Sequence, residues 1–397
     1  MIKKTIALLM CLCFAAGTLA ADAKELIWPP NREWQNRAVN AETQGIDLTC
    51  KAAVLYSADT GKILYTKNES ERLPEASITK VMTLLLVFEA LDSGRIKYDD
   101  VITCSEHAAS MGGSQIWLEA GEQMTVDQLI KAAAVGSAND ASVALAEHVA
   151  GTHEKFVMMM NERAGQLGMR DTAYKNCTGL DAEGHITSAI DIAIASAELL
   201  KHQKVLEYTG IWMDSLRNGE LQLANTNKML RTYEGCNGLK TGTTSRAGCC
   251  ISASATRDGM TLIAVVLGGS DSKTRFGEAA KLLDFGFAGY EVIDLDTVPV
   301  STVDIPISGG MRQKLGTYAN MGGKLIIPKG RANDIRVEVN MPESIEAPIS
   351  DDQIVGTVSL SVDGMLLGDY NIMAFDGCEA VTFGNVLGEV LRALLRV

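Results

Sequence analysis

Two hydrophobic rhythms divide this chain, and their order predicts its layout. Residues 51–57 (KAAVLYS) and 61–66 (GKILYT) are short β-type runs with the turn residues Asp59-Thr60-Gly61 between them, so they predict an opening hairpin. From Ser77 to about Leu91 the rhythm changes. Val81, Met82, Leu84, Leu85, Leu86, Val87, Phe88 and Leu91 leave almost no polar face, which predicts a helix buried on all sides and ended by Asp92-Ser93-Gly94. Residues 125–135, 138–150, 154–167 and 188–203 have helical composition and spacing. Asn139-Asp140 is placed to cap the second of them, and Gly151 and Gly168 stand where helices should stop. Strand patterns return at 238–244, 248–256 and 260–267. The turn Arg257-Asp258-Gly259 joins the last two, and a helix follows at about 272–286.

Strands at both ends of this stretch, with helices between, cannot bury their faces separately. They predict one antiparallel sheet flanked by helices, with a helical insertion: an α+β domain over residues 24–291. After about Val292 the composition shifts. Residues 296–380 carry short alternating runs (VPVSTVDIPI, GKLIIPKG, DIRVEVNM, GTVSLSVDG) punctuated by Gly and Pro, which predicts a small all-β domain. In residues 383–397 the period is helical again. Phe383, Val386, Leu387, Val390, Leu391, Leu394 and Leu395 form one stripe, with Asn385, Glu389, Arg392 and Arg396 off it. Fifteen residues make about 22 Å of helix, too short to cross a bilayer but able to lie in its interface, so this tail is expected to anchor to a membrane surface. A helix packed on the β domain is the alternative.

The N-terminus sets the compartment. Lys3 and Lys4 precede an unbroken apolar run from Ile6 to Ala16, and small residues follow, the form of a secretory signal peptide over residues 1–20. The site described below is therefore expected outside the cytoplasm. The chain carries a net charge of −13, more acidic still without those two lysines, which argues against a nucleic-acid partner. Seven cysteines lie beyond the leader (Cys50, Cys104, Cys177, Cys236, Cys249, Cys250 and Cys378), an odd number with no zinc-like spacing. Buried free thiols are expected rather than a disulfide framework, and no metal site is expected.

Three short clusters carry the chemistry: Ser77-Ile78-Thr79-Lys80, Ser137-Ala138-Asn139 and Lys240-Thr241-Gly242, in that order and 60 and 103 residues apart. Ser77 and Lys80, three apart on a helix, share a face. A serine hydroxyl needs a base, and a lysine serves only when neutral; the apolar run after Lys80 supplies the burial that lowers its pKa. Ser137 falls between two helices, where its hydroxyl can relay a proton to a leaving amine. Asn139 can hydrogen-bond a substrate amide and the Lys80 amine. Lys240, on a strand, places a second cation beside the site, where it attracts an anionic substrate group and holds Lys80 neutral. Gly242 removes a side chain where another backbone lies close, and an extended substrate can pair with this strand. The backbone N–H groups of Ser77 and Thr243 can form an oxyanion hole. Alone, each cluster reads as a helix cap, a snorkelling lysine or a strand bulge. Together they predict lysine-assisted acylation of a serine, leaving carboxypeptidase, transpeptidase and β-lactamase open.

The trio resembles the penicillin-binding protein and serine β-lactamase superfamily. Longer stretches resemble one branch, the low-molecular-mass penicillin-binding proteins that are D-alanyl-D-alanine carboxypeptidases: ADTGKILYTKNESERLPEASITKVMT, SANDASVALAEHVAG, MNERAGQLGMRDTAYKNCTGLD, GLKTGTTSRAG and GTVSLSVDGMLLGDYNI. This branch typically has Ser-Gly-Asn where Ser-Ala-Asn stands here, and proline or alanine at the position of Glu75. The resemblance implies that Ser77 forms an acyl-enzyme with a peptidoglycan stem peptide and releases the terminal D-alanine. By the same resemblance Lys80 is the base, Ser137 shuttles the proton and Asn139 positions. Lys240, Thr241, Gly242 and Thr243 bind the carboxylate end, and Arg275 assists. It implies no cofactor, and β-lactams as covalent inhibitors. A β-lactamase would need rapid deacylation, for which one class uses a glutamate after the second motif; Met169 to Leu180 contains none. A catalytically inactive wall-binding or β-lactam-sensing module is the non-enzymatic alternative, opposed by the intact Ser77 and Lys80.

Overall fold

The structure, a computed structural model, describes residues 46–395; the leader expected at 1–20 and the last two residues of the tail lie outside them. The opening hairpin forms from β1 (Ala52–Ser57) and β2 (Ile63–Lys67). Much later in the chain come β3 (Cys236–Thr244), β4 (Gly248–Arg257) and β5 (Met260–Gly269). All five make one sheet in the order β2-β1-β5-β4-β3, every pair antiparallel. The two ends of the domain are therefore stitched side by side, Ala53 opposite Val266 and Leu55 opposite Ala264.

Side chains alternate across a strand, and here both faces are covered. Ala52, Val54, Ile263, Val265 and Leu267 enter one core, while Ala53, Leu55, Leu262, Ala264 and Val266 enter another. This is why β1 and β5 read as continuous apolar runs rather than as alternating ones. The first core is shared with α1 (Lys80–Asp92), α2 (Val126–Val135), α3 (Asn139–Ala150), α4 (His153–Gln166) and α5 (Ala189–Leu200). The second is closed by α6 (Ser272–Gly289). Helix α1 is buried from Lys80 through Phe88 with no break. Truncating one of its leucines to alanine costs about 2–5 kcal/mol.

Two local expectations are corrected. Ser77 does not open the α-helix: it lies in a separate 3-10 turn, Ala76–Thr79, and α1 begins at Lys80. Ala76 sits at φ +52, a left-handed conformation that bends the chain into the turn. Nor do Asn139 and Asp140 cap α3; the N-cap is Ala138, without a side-chain cap bond. Both side chains are drawn to tertiary partners instead. Elsewhere the expected stops hold: Gly151 closes α3 in the left-handed conformation, and Asp258 and Gly259 at φ +50 and +75 make the β4–β5 hairpin turn. The seven described cysteines are unpaired, five of them buried.

Beyond the domain, β6 (Tyr290–Asp294) leaves α6 and pairs with β8 (Lys324–Pro328). Strands β7 (Thr317–Asn320), β11 (Met365–Ala374), β10 (Ile354–Val362) and β9 (Arg336–Asn340) form an antiparallel four-stranded sheet in that spatial order, over a core of its own. Lys324 Nζ reaches back to Asp59 at 2.8 Å and to the Gly259 carbonyl at 2.9 Å. The chain ends in α7 (Phe383–Leu395), whose stripe residues Phe383, Val390 and Leu394 are 85, 50 and 66% exposed. No described helix is long and apolar enough to cross a membrane.

Candidate active site

The three clusters converge where the 3-10 turn, the α2–α3 connection and strand β3 meet. Lys80, at the first position of α1, is fully buried. Its Nζ donates to Asn139 Oδ1 and to the Thr178 carbonyl, both at 2.6 Å, and lies 3.2 Å from Ser77 Oγ. The first two partners are pure acceptors. A neutral amine has two N–H groups and one lone pair, so using both N–H groups there leaves the lone pair for the serine hydroxyl. Burial pushes the Lys80 pKa down to about 7. Lys240 is also fully buried, its Nζ donating to the Thr241 carbonyl at 3.1 Å. Burial, then the charges of Lys80 and Arg275, hold it well below the ordinary lysine value. Two ammonium groups this deep repel, so the pair sheds a proton easily.

Backbone fit fixes the nucleophile. Gly242 on β3 lies against the turn: a β-carbon there would be 2.6 Å from the Glu75 carbonyl oxygen and 2.8 Å from the Ser77 nitrogen. The close-approaching backbone that Gly242 admits is thus the protein's own. Gly179, at φ +83, closes on the other side. Strand β3 is an edge strand, so among the described residues no strand pairs with its outer side.

Around this centre the remaining expected residues are placed unequally. Ser137, at φ +60 and almost fully buried, is brought in with its cluster, yet its hydroxyl makes no hydrogen bond among the described residues. Thr241 Oγ1 donates to Thr226 Oγ1 at 2.7 Å. Arg275, near the start of α6, reaches across to β3: its Nη1 donates to the Gly242 carbonyl and to Thr243 Oγ1, both at 2.9 Å. A buried cation therefore stands behind Thr243, whose side of the strand is exposed.

Several residues at the site carried no sequence signal. The Thr178 carbonyl holds Lys80, and the Cys177 carbonyl accepts from Thr83 Oγ1 at 2.7 Å, so this short loop is part of the lysine's cage. Glu75 stands where the resembled branch has proline or alanine, and nothing in the local sequence points to its partners. It is fully buried, accepts from Thr79 Oγ1 at 3.0 Å and lies 3.4 Å from His185 Nε2. The Lys175 N–H donates to His185 Nδ1 at 3.0 Å, so the ring proton sits on Nε2, which donates to Thr79 Oγ1 at 2.8 Å. Asp140, fully buried, accepts from the amides of Ile116 and Leu118, and the Asn139 Nδ2 amide donates to the Gly112 carbonyl at 2.7 Å. Asn139 and Asp140 thus clamp the loop at 112–118 beside Lys80.

Comparison with known proteins agrees with this architecture. A family model described as D-alanyl-D-alanine carboxypeptidase matches residues 37–271, and one described as penicillin-binding protein 5, C-terminal domain, matches residues 291–379. The D-alanyl-D-alanine carboxypeptidase DacF of Bacillus subtilis is 43% identical, over 86% of this chain and 89% of its own. DacC of Escherichia coli is 31% identical over 94% of each. Penicillin-binding protein 5 from Haemophilus influenzae superposes with a TM-score of 0.78 at 30% identity, covering 84% of this chain and 99% of that one. Penicillin-binding protein D2 from Listeria monocytogenes, solved in an ampicillin-bound form, has a TM-score of 0.56 at 31% identity, covering 61% of this chain and 99% of that one. With sheet, helices and trailing β domain all matched, the chain belongs to the D-alanyl-D-alanine carboxypeptidases of the penicillin-binding protein family.

Proposed function

We propose that residues 24–291, of which 46–291 are described, form a catalytic domain that removes the terminal D-alanine from peptidoglycan stem peptides through an acyl-enzyme on Ser77. The observation that carries this reading is the Lys80 cage: a buried amine with two pure acceptors at 2.6 Å and its remaining position toward Ser77 Oγ at 3.2 Å. In this mechanism neutral Lys80 takes the Ser77 proton as Oγ attacks the carbonyl of the penultimate D-alanine. The oxyanion forms near the Ser77 and Thr243 N–H groups. Ser137, its hydroxyl unengaged, passes a proton to the leaving D-alanine nitrogen, the C–N bond breaks, and water later hydrolyses the ester. Asn139 orients Lys80 and the substrate amide. Lys240, Thr241, Gly242, Thr243 and Arg275 form the place for the terminal carboxylate, with the extended peptide along the free edge of β3.

A β-lactam ring presents a comparable carbonyl to Ser77, so β-lactams act as covalent inhibitors in this reading. The stretch 169–180, whose Thr178 carbonyl holds Lys80, carries no glutamate, which supports slow turnover of the penicilloyl ester over a β-lactamase. The site works outside the cytoplasm, delivered by the 1–20 leader. The β domain, 296–380, sets it off from the tail, whose exposed stripe lies in a membrane surface. The test is release of free D-alanine from a synthetic peptide ending in D-Ala-D-Ala. Stoichiometric release with multiple turnovers is expected, and loss of both in Ser77→Ala. A wild-type protein that turns over penicillin rapidly but leaves the peptide intact would reject the carboxypeptidase reading.

A further inference from the structure

We infer that Thr79 is a positioning residue for the oxyanion: its buried hydroxyl, backed by His185 and Glu75, fixes the Ala76–Ser77 peptide so that the Ser77 N–H faces the reacting carbonyl. This deepens the proposed function and rests on it. Ala76 adopts φ +52, a left-handed conformation that a residue with a β-carbon keeps only when it is held. Relaxing it would reorient the peptide that follows. The carbonyl end of that peptide is gripped: the Ala76 oxygen accepts from Thr79 Oγ1 at 2.9 Å and lies against Gly179. The other end is open, since the Ser77 N–H has no hydrogen-bond partner among the described residues. The N–H and C=O of a planar peptide point in opposite directions, so fixing the carbonyl aims the N–H. A bond to the carbonyl also polarises the peptide and strengthens its N–H as a donor.

What lies behind Thr79 decides where its proton goes. Thr79 and Glu75 are fully buried and His185 nearly so, so no water competes for their bonds. The Lys175 N–H on His185 Nδ1 leaves the ring proton on Nε2, which donates to Thr79 Oγ1 at 2.8 Å. The hydroxyl oxygen is thus an acceptor toward His185. Its single proton is left for two acceptors, the Ala76 carbonyl at 2.9 Å and Glu75 Oε1 at 3.0 Å, and both belong to the start of the turn. Glu75 Oε2 has no partner among the described residues, so Thr79 and His185 are what its carboxyl meets. Proline or alanine, as the resembled branch has at this position, would offer no such acceptor. A distant loop thereby holds the turn through one hydroxyl that lies between Ser77 and Lys80 in sequence.

The experiment measures benzylpenicillin acylation of the full chain against pH, separating the acylation rate constant from the dissociation constant of the noncovalent complex. Thr79→Val keeps the shape and removes the hydroxyl. It should lower the plateau rate constant about five- to fiftyfold, with the dissociation constant unchanged within about twofold. The midpoint of the acid limb should stay at about 7, because the Lys80 cage is untouched. Thr79→Ser restores the hydroxyl and should recover the rate to within about threefold of wild type. An unchanged plateau in Thr79→Val overturns the inference, and so does a Thr79→Ser variant as slow as Thr79→Val. A fall in rate accompanied by a displaced midpoint, or by an equal loss of noncovalent affinity, overturns it too, since Thr79 would then merely support the lysine or the turn as a whole. Should Thr79→Val not fold, His185→Phe decides by the same readouts: a plateau lowered about threefold or more at an unmoved midpoint is expected, and an unchanged plateau overturns the inference. No adduct on wild-type Ser77 would instead defeat the underlying acyl-serine reading.

Discussion

Gly179 lies so close to Ala76 that a β-carbon on it would stand 1.9 Å from the Ala76 carbonyl oxygen. Gly179 also adopts φ +83. An alanine there pays twice, about 1–2 kcal/mol for the left-handed backbone and more for moving the turn that carries Ser77. Gly179→Ala should lower the melting temperature by several degrees and slow penicillin acylation of Ser77 by at least tenfold. Unchanged thermal unfolding with an unchanged acylation rate would mean that this contact does not hold the nucleophile.

A second prediction follows from the Lys80 amine. Its pKa is pulled from 10.5 to about 7 by burial, so the neutral form that can accept the serine proton is scarce below that value and dominant above it. The acylation rate constant should therefore rise about tenfold per pH unit on the acid side and level off above about pH 7. Stopped-flow acylation by a fluorescent penicillin measures this. A rate that keeps rising toward pH 10 would show that the lysine keeps its ordinary basicity.

The chain was legible where chemistry is local. The three clusters, the buried α1 run and the β4–β5 hairpin each announce themselves within a few residues. What was not legible depends on contacts between distant segments. Asn139 and Asp140 read as helix caps because that is their commonest local use, but one is taken by Lys80 and Gly112 and the other by the 116–118 amides. Ser77 read as the start of the helix because the 3-10 turn that carries it is bent by Ala76, wedged between two glycines distant in sequence. His185, Thr178 and Thr226 lie in loops whose sequences say nothing about where they return.

Arg275 tests the carboxylate end. It reaches the Gly242 carbonyl and Thr243 Oγ1 from behind the strand, and loses its charge in Arg275→Gln. Losing a charged hydrogen bond is worth about 1.5–3 kcal/mol, so kcat/KM for the peptide should fall about ten- to a hundredfold. An amide-blocked peptide lacking the terminal carboxylate should be affected far less. Equal losses on both peptides would assign Arg275 to holding the strand alone.

The tail is tested by removal. Deleting residues 383–397 should move the protein from the membrane fraction to the soluble fraction while leaving penicillin acylation intact, since α7 shares no core with the catalytic domain. An unchanged membrane fraction would contradict the anchor.

The central claim is that Ser77 is acylated with Lys80 as its base. Peptide mass spectrometry after brief exposure to benzylpenicillin reads it most directly. One persistent penicilloyl group is predicted on the peptide containing Ser77 in the wild-type protein, and none in Ser77→Ala. An unmodified wild-type protein, or an adduct that survives in Ser77→Ala, would contradict it.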